Sequence, residues 1–245
     1  MLEKKLKRIH VLRLRDSYRV GGPEKTILGT ASNINCERFK FTLASFEEAN
    51  SKNEFIEAAK ELNVSILTIW NEYFFDPRTV RYMANYLQLN EVDIFHGHDY
   101  KSRYLGYLAA RKTGVHKIAT VHGWIQNTKK DIMYTLVDKM LLKKYEKIIV
   151  VSWDLKKKLQ NIGIKEEKII LLHNAVEIKS KYINRNGSLR RELGIEGSDI
   201  IVATVGRLSK EKGMEDFIEA AAIALKKNRN ITYLIIGEGP EERVL

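Results

Sequence analysis

Apolar residues in this chain come in two kinds of block. Continuous short runs bounded by turn residues read as strands buried on both faces, and apolar residues three or four apart read as helices with one buried side. The runs Ile9–Leu14, Phe39–Ser45, Val64–Ile69, Val92–Phe95, Lys117–Val121, Lys147–Val151 and Lys168–Leu172 are of the first kind. Between them the spacing predicts helices. One starts at Pro23 with Ile27, Leu28 and Ala31 on its inner side, and Asn53–Leu62 follows. Asp76-Pro77 opens another through Val80, Ala84 and Leu87, and Tyr104–Arg111, Asp131–Tyr145 and Leu155–Ile162 complete the set.

Strand runs alternating with helices predict an α/β fold with a parallel sheet covered on both faces. This first domain is read as residues 1–175. A polar stretch around Glu177, Lys179, Ser180 and Asn184 reads as a linker, and the alternation then restarts. Ser188–Leu193 is a short helix, Asp199–Val205 a strand, Met214–Lys226 a helix and Ile231–Ile236 a strand. Two parallel strands do not bury a doubly wound core, so residues 176–245 are expected to be the first part of a second domain.

In the helix Asp131–Tyr145, residues Ile132, Met133, Leu136, Val137, Met140 and Leu141 form a stripe expected to pack in the core. The lysines around it (Lys129, Lys130, Lys139, Lys143 and Lys144) suit a surface resting on anionic lipid.

Composition narrows the partners. The 42 Lys and Arg against 31 Asp and Glu leave a net charge of +11, which favours anionic ligands such as phosphates, acidic lipid or nucleic acid. An RNA reading lacks an aromatic-flanked basic strand pair or a zinc knuckle, so no nucleic-acid partner is expected. The one cysteine, Cys36, forms no internal disulfide, and a reducing cytoplasm is the expected compartment. No apolar run approaches the roughly twenty residues of a membrane span. The basic start, Met1–Arg8, leads into a strand and not into a signal-peptide core.

The strongest chemical signal is Val205-Gly206-Arg207-Leu208-Ser209-Lys210-Glu211-Lys212-Gly213, between a strand and a helix. Glycines let a ligand approach the backbone, a helix start offers free N–H groups, and Arg207 and Lys212 add full charges, which together suit phosphate. Gly21-Gly22 follows the first strand in a similar setting. His96 and His98 are expected on opposite sides of their strand with no third ligand near, so no metal is expected. His98 and Asp99 are expected to be exposed at the strand end. His173-Asn174 reads as a hinge, and Gly237-Glu238-Gly239-Pro240 as a turn.

The ordered set Gly21-Gly22-Pro23-Glu24, Phe95-His96-Gly97-His98-Asp99, Ala119-Thr120-Val121-His122-Gly123, His173-Asn174-Ala175-Val176, Gly206-Arg207-Leu208 through Glu211-Lys212-Gly213 and Gly237-Glu238-Gly239-Pro240 resembles the retaining nucleotide-sugar glycosyltransferases of family four, which have the GT-B architecture. The resemblance covers nearly the whole chain. It implies two facing Rossmann-like domains with the active site in the cleft between them.

It also implies transfer of a sugar from a nucleoside-diphosphate donor to a glycan or lipid-linked acceptor, with configuration retained and no metal or other cofactor. By resemblance, His122, Arg207 and Lys212 are the catalytic candidates. Gly21, Gly22, Gly206, Arg207, Lys212, Gly237 and Glu238 hold the donor, and His98 and Asp99 line the acceptor side. His122 then supports the oxocarbenium-like centre, and the cations neutralise the departing diphosphate.

Family members carry two glutamates, seven residues apart, later in the second domain. These are not found before Leu245, and a chain truncated within that domain with impaired turnover is expected. The protein is then placed in the cytoplasm or peripherally on the inner face of a membrane. Two alternatives share the features: a non-catalytic acceptor- or membrane-binding module, and a GT-B sugar epimerase, against which the Gly206–Gly213 series speaks.

Overall fold

A computed structural model describes residues 7–47, 52–62, 64–124, 128–176, 188–195, 197 and 199–245. The chain divides into two compact units, Met1–Ile178 and Lys179–Leu245. The polar stretch read as a linker lies mostly outside the described residues.

The first unit alternates strand and helix: β1 (Ile9–Leu14), α1 (Gly22–Asn33), β2 (Phe39–Glu47), α2 (Glu54–Lys60), β3 (Ser65–Trp70), α3 (Pro77–Leu89) and β4 (Ile94–Gly97) come first. Then follow α4 (Tyr100–Thr113), β5 (His116–Val121), α5 (Lys129–Leu142), β6 (Lys147–Val150), α6 (Trp153–Asn161) and β7 (Ile169–Leu171). The strands form a seven-stranded sheet in the order β3-β2-β1-β4-β5-β6-β7, with every pairing parallel. Short apolar strands fit this sheet because both faces are covered. Leu12, Leu14, Phe46 and Phe95 pack with Met83 and Leu87 of α3 and Leu105 of α4. On the opposite face Val11, Phe41 and Leu43 meet Ile27 of α1 and Phe55 of α2.

Two boundaries differ from expectation for visible reasons. Val92 donates its N–H to Leu87 O and closes the end of α3, so β4 starts later and runs through His96 and Gly97, which pair with Arg13 and Leu14. Helix α4 starts four residues before Tyr104, because Asp99 caps it: Ser102 N–H donates to Asp99 Oδ1 at 2.8 Å. Gly106 on this helix has no room for a side chain, since a Cβ would fall 1.9 Å from the Phe95 ring.

The apolar stripe on α5 does not pack in the core as expected. The helix buries Thr135, Asp138 and Leu142. It leaves Ile132, Met133, Leu136 and Met140 at 46%, 54%, 57% and 63% exposure. Asp138 pairs with the fully buried Arg103, Arg103 Nε donating to Asp138 Oδ1 at 2.6 Å. A buried guanidinium without a counter-charge is costly, so this pair sets the rotation of the helix and the apolar stripe faces outward.

The second unit holds α7 (Ser188–Glu192), β8 (Ile200–Val205), α8 (Met214–Leu225) and β9 (Ile231–Ile236). β8 and β9 pair in parallel, from Ile200 with Ile231 to Val205 with Ile236. Met214 and Ala221 of α8 are buried with Leu208, while Val205, Ile223 and Ile236 are exposed. No helix among the described residues is long and apolar enough to cross a membrane.

Candidate functional site

Strand order in the first unit reverses direction at β1 and β4, and the carboxyl ends of such neighbouring strands form the usual ligand crevice of a doubly wound sheet. The chain leaving β1 is fastened there to the chain leaving β4. His98 N–H donates to Leu14 O at 3.2 Å, Asp16 N–H donates to Asp99 Oδ2 at 2.8 Å, and Arg15 donates to His98 O at 3.2 Å. Arg15 also pairs with the buried Glu24 of α1 at 2.7 Å. Glu24 in turn accepts from Gly21 N–H at 3.0 Å, which fixes the Gly21-Gly22 turn at the helix start. Burial alone would raise the Glu24 carboxyl, but the charge and hydrogen bond of Arg15 hold it below its ordinary value. A Cβ on Gly22 would meet no atom within 4 Å, so nothing in the chain itself demands glycine there.

Three histidines form a column at the crevice floor. Strand periodicity puts residues i and i+2 on one face, and the His96 and His98 rings stack with centroids 4.3 Å apart, correcting the expectation of opposite sides. His98 is buried, not exposed. Its Nδ1 lies 3.2 Å from His122 Nε2, and His96 Nε2 lies 2.8 Å from Thr120 Oγ1. His98 Nε2 is buried without a partner. A buried lone pair left unmatched is tolerated better than an unmatched N–H, so the pairing favours His98 donating from Nδ1 to His122 Nε2. His122 then carries its own proton on Nδ1.

All three imidazoles are held neutral. Burial and nearby positive charge push His96 and His98 well below their ordinary value. Burial, then the charges of Arg15 and Arg103, bring His122 down to about 4. Arg13, on the same face as His96, is desolvated and lowered to about 10. Its Nε has no hydrogen-bond partner, and its guanidinium carbon sits 5.2 Å from the Phe41 ring centre. Asp99, expected as an exposed acceptor contact, is engaged in capping α4 and holding Asp16.

The loop bearing His122 is anchored from below. Arg103 donates to Thr120 O at 2.9 Å, and Trp124 Nε1 donates to Asp138 Oδ2 at 2.9 Å. His122 and Trp124 border a cleft of about 520 Å³, open to solvent, that is also lined by Lys139 of α5 and by Ser152, Asp154, Lys158 and Asn161 at α6. Sequence reasoning missed Arg13, Arg15, Arg103 and Asp138. Arg103 and Asp138 lie 35 residues apart, and no local signal joins them. His173, read as a hinge residue, approaches Val151 O through Nδ1 at 3.0 Å.

In the second unit, Gly206-Arg207-Leu208 leaves β8, a single turn Lys210–Lys212 follows, and Gly213 in the left-handed region (φ 62°) starts α8. Arg207 and Lys212 are exposed, with no ion-pair partner among the described residues. Gly237 and Glu238 follow β9 on the adjacent strand. A Cβ on Gly237 would lie 1.8 Å from Gly206 O, and one on Gly239 2.1 Å from Leu208 O. Leu208 N–H donates to Glu238 O at 3.0 Å. The glycines of the second loop therefore let it lie directly against the first. Among the described residues, no group of three or more His, Cys, Asp or Glu side chains is arranged to hold a metal.

A parallel doubly wound sheet with a polar crevice at its switch point, together with a βαβ unit carrying exposed cations at a helix start, defines an α/β protein of the GT-B type. Residues 20–180 match Glycosyltransferase Family 4 and residues 186–245 match Glycosyl transferases group 1. The chain belongs to Glycosyltransferase Family 4.

It is 26% identical over 174 residues to the UDP-Gal:alpha-D-GlcNAc-diphosphoundecaprenol alpha-1,3-galactosyltransferase of Escherichia coli, across 67% of this chain and 45% of that enzyme. The chain thus spans about half the length of this curated relative. The structure of Anabaena HepE in complex with UDP and glucose superposes with a TM-score of 0.76 at 17% identity, over 95% of this chain and 62% of that one. A UDP-N-acetylglucosamine 2-epimerase shares the fold at a TM-score of 0.57 and 14% identity, over 93% of this chain and 63% of that one.

Proposed function

We propose that the protein acts in transfer of a sugar from a nucleoside-diphosphate sugar to a glycan or lipid-linked acceptor, with retention of configuration and without a metal. The observation that carries this reading is the pair of exposed cations Arg207 and Lys212, in no ion pair among the described residues, at the glycine-bordered start of α8. Breaking the bond between sugar and diphosphate builds negative charge on the leaving group, and cations fixed beforehand stabilise that charge more in the transition state than in the ground state. Gly206, Gly237 and Glu238 border the same place. The chain itself does not demand glycine at position 22, which under this reading leaves a contact with the donor as the reason for it. The relatives and neighbours act on or bind UDP-linked compounds by their names, in agreement with this donor class.

His122 serves as a neutral hydrogen-bonding group beside the transferred sugar. With its pKa near 4 it is uncharged at pH 7 and does not repel an oxocarbenium-like centre. The departing phosphate accepts the proton of the acceptor hydroxyl, so no separate base is required. The protein works in the cytoplasm, where the lysines of α5 rest on an anionic membrane surface. Sedimentation with acidic vesicles tests this last point, and equal recovery with neutral vesicles at low salt removes it.

Titration of the chain with UDP and with a panel of UDP-sugars tests the donor site. Replacing Arg207 and Lys212 together by Ala is expected to weaken UDP binding at least about tenfold, as loss of charge-assisted contacts to phosphate implies. The variant should keep an unchanged circular dichroism spectrum. Unaltered affinity in that variant overturns the assignment.

A further inference from the structure

The seven-stranded sheet ends in two unlike edges. β7 has three residues and follows the charged turn Glu166–Lys168, the kind of short, charged border that keeps a sheet from taking on another strand. β3, at the other edge, has six residues, Ser65 to Trp70, with no charge, proline or glycine among them. It pairs with β2 from Ser65 opposite Thr42 to Trp70 opposite Glu47, and among the described residues no strand lies along its outer side. We propose that this edge is a self-association surface. Two copies of the chain join β3 to β3, antiparallel about a two-fold axis at Thr68, and make one continuous sheet. This is independent of the sugar-transfer reading.

Burial along β3 alternates. Leu67 and Ile69 are buried against Val80 and Met83 of α3, while Thr68 and Trp70 are exposed, Trp70 at 57%. An aromatic side chain so exposed on an unprotected edge strand marks a surface that gains from being covered. The strand is also self-complementary. A two-fold axis normal to the sheet keeps every side chain on its own face, so residues opposed across it come from the same face of β3. With the axis at Thr68, Ile66 of each copy stands opposite Trp70 of the other. Thr68 meets Thr68, and Leu67 meets Ile69. These are the aromatic–β-branched, threonine–threonine and aliphatic pairs that favour antiparallel strands. An axis at Leu67 would instead set Ile66 opposite Thr68 and Ser65 opposite Ile69, apolar against polar. Because β3 carries no charge, no like charges meet in the joined strands.

The test uses the whole chain. Sedimentation velocity over a rising concentration series is expected to show a monomer–dimer equilibrium. Thr68→Lys sets ammonium against ammonium at the axis and should raise the dimer dissociation constant at least about tenfold, and Thr68→Glu should do the same. An equal mixture of the two variants should recover dimers, because only there do opposite charges meet. In a Cys36→Ser background, Thr68→Cys should cross-link two copies on mild oxidation. Residues opposed in an antiparallel pair lie about 4.5–5.5 Å apart at Cα, within the span of a disulfide. Leu136→Gln with Met140→Gln on the exposed stripe of α5 should leave the equilibrium unchanged.

A chain that stays monomeric at every concentration overturns the inference. So does a dimer that Thr68→Lys leaves intact, or one that the α5 variant dissolves. Failure of the two charged variants to recover dimers on mixing overturns the axis at Thr68. Thr68 is exposed, and unchanged thermal unfolding confirms that its variants fold.

Discussion

Arg103 grips both carboxylate oxygens of Asp138, Nε to Oδ1 at 2.6 Å and a second nitrogen to Oδ2 at 2.7 Å, with both side chains buried. The pair ties α4 to α5, and through Thr120 O and Trp124 Nε1 it also holds the loop that carries His122. Asp138→Asn leaves a buried guanidinium without a counter-charge and is expected to cost about 3–5 kcal/mol. Arg103→Met with Asp138→Leu removes both charges and should cost less than either single change. Urea unfolding of Arg103→Met, Asp138→Leu and the double variant measures this. A double variant less stable than either single one contradicts the account.

His122 makes stability depend on pH. The unfolded chain takes up a proton at this side chain near pH 6.5, while the folded chain resists until about 4. Between those values the unfolded state binds more protons, so stability rises with pH across that window and is lost as acid is added. Its contribution between pH 6.5 and 4.5 is on the order of 2 kcal/mol, allowing for partial exposure. His96 and His98 are lowered in the same direction and steepen the slope. His122→Asn should flatten the dependence of the urea midpoint on pH; an identical slope would exclude His122 as a contributor.

The contact between His98 and His122 fixes a tautomer. Long-range proton–nitrogen spectra of histidine-labelled protein at pH 7 are expected to show His122 protonated on Nδ1. His98→Phe removes the donor to His122 Nε2, and the His122 proton should then redistribute toward Nε2 while the fold persists. A His122 already protonated on Nε2 in the unaltered protein would reverse the donor assignment.

The glycines of the two proposed donor loops should respond differently. Gly239→Ala puts a Cβ 2.1 Å from Leu208 O and forces the paired loops apart. A loss of about 2 kcal/mol or more in the second unit is expected, together with faster hydrogen exchange at Leu208 N–H. Gly22→Ala meets open space and should leave unfolding unchanged to within about 0.5 kcal/mol. Under the proposed donor role it still weakens binding of nucleoside-diphosphate sugar. A Gly22→Ala chain that binds donor normally would take Gly22 out of the site.

Much of the fold was legible from local pattern. The runs Ile9–Leu14 and Lys147–Val151 became buried parallel strands, and Asp76-Pro77 capped α3 as its residue types require. The order of glycine, histidine and cation motifs pointed to Glycosyltransferase Family 4, which the match over residues 20–180 establishes. Less of the site was legible. Arg15 and Glu24 lie near each other in sequence, but their pairing depends on how α1 packs against the sheet, and the end of β4 depends on pairing with Arg13 and Leu14.

What the amino-acid order determined by itself was the alternation of strand and helix, because period and capping act within a few residues. Which side of α5 faces inward and which rings meet His122 were set by contacts between residues far apart in the chain. Those outcomes follow from Arg103 seeking a counter-charge 35 positions away and from neighbouring strands bringing His96, His98 and His122 onto one face. Burial makes an unpaired charge more costly than an exposed stripe of methionine, leucine and isoleucine, and that inequality is absent from any local reading of the chain.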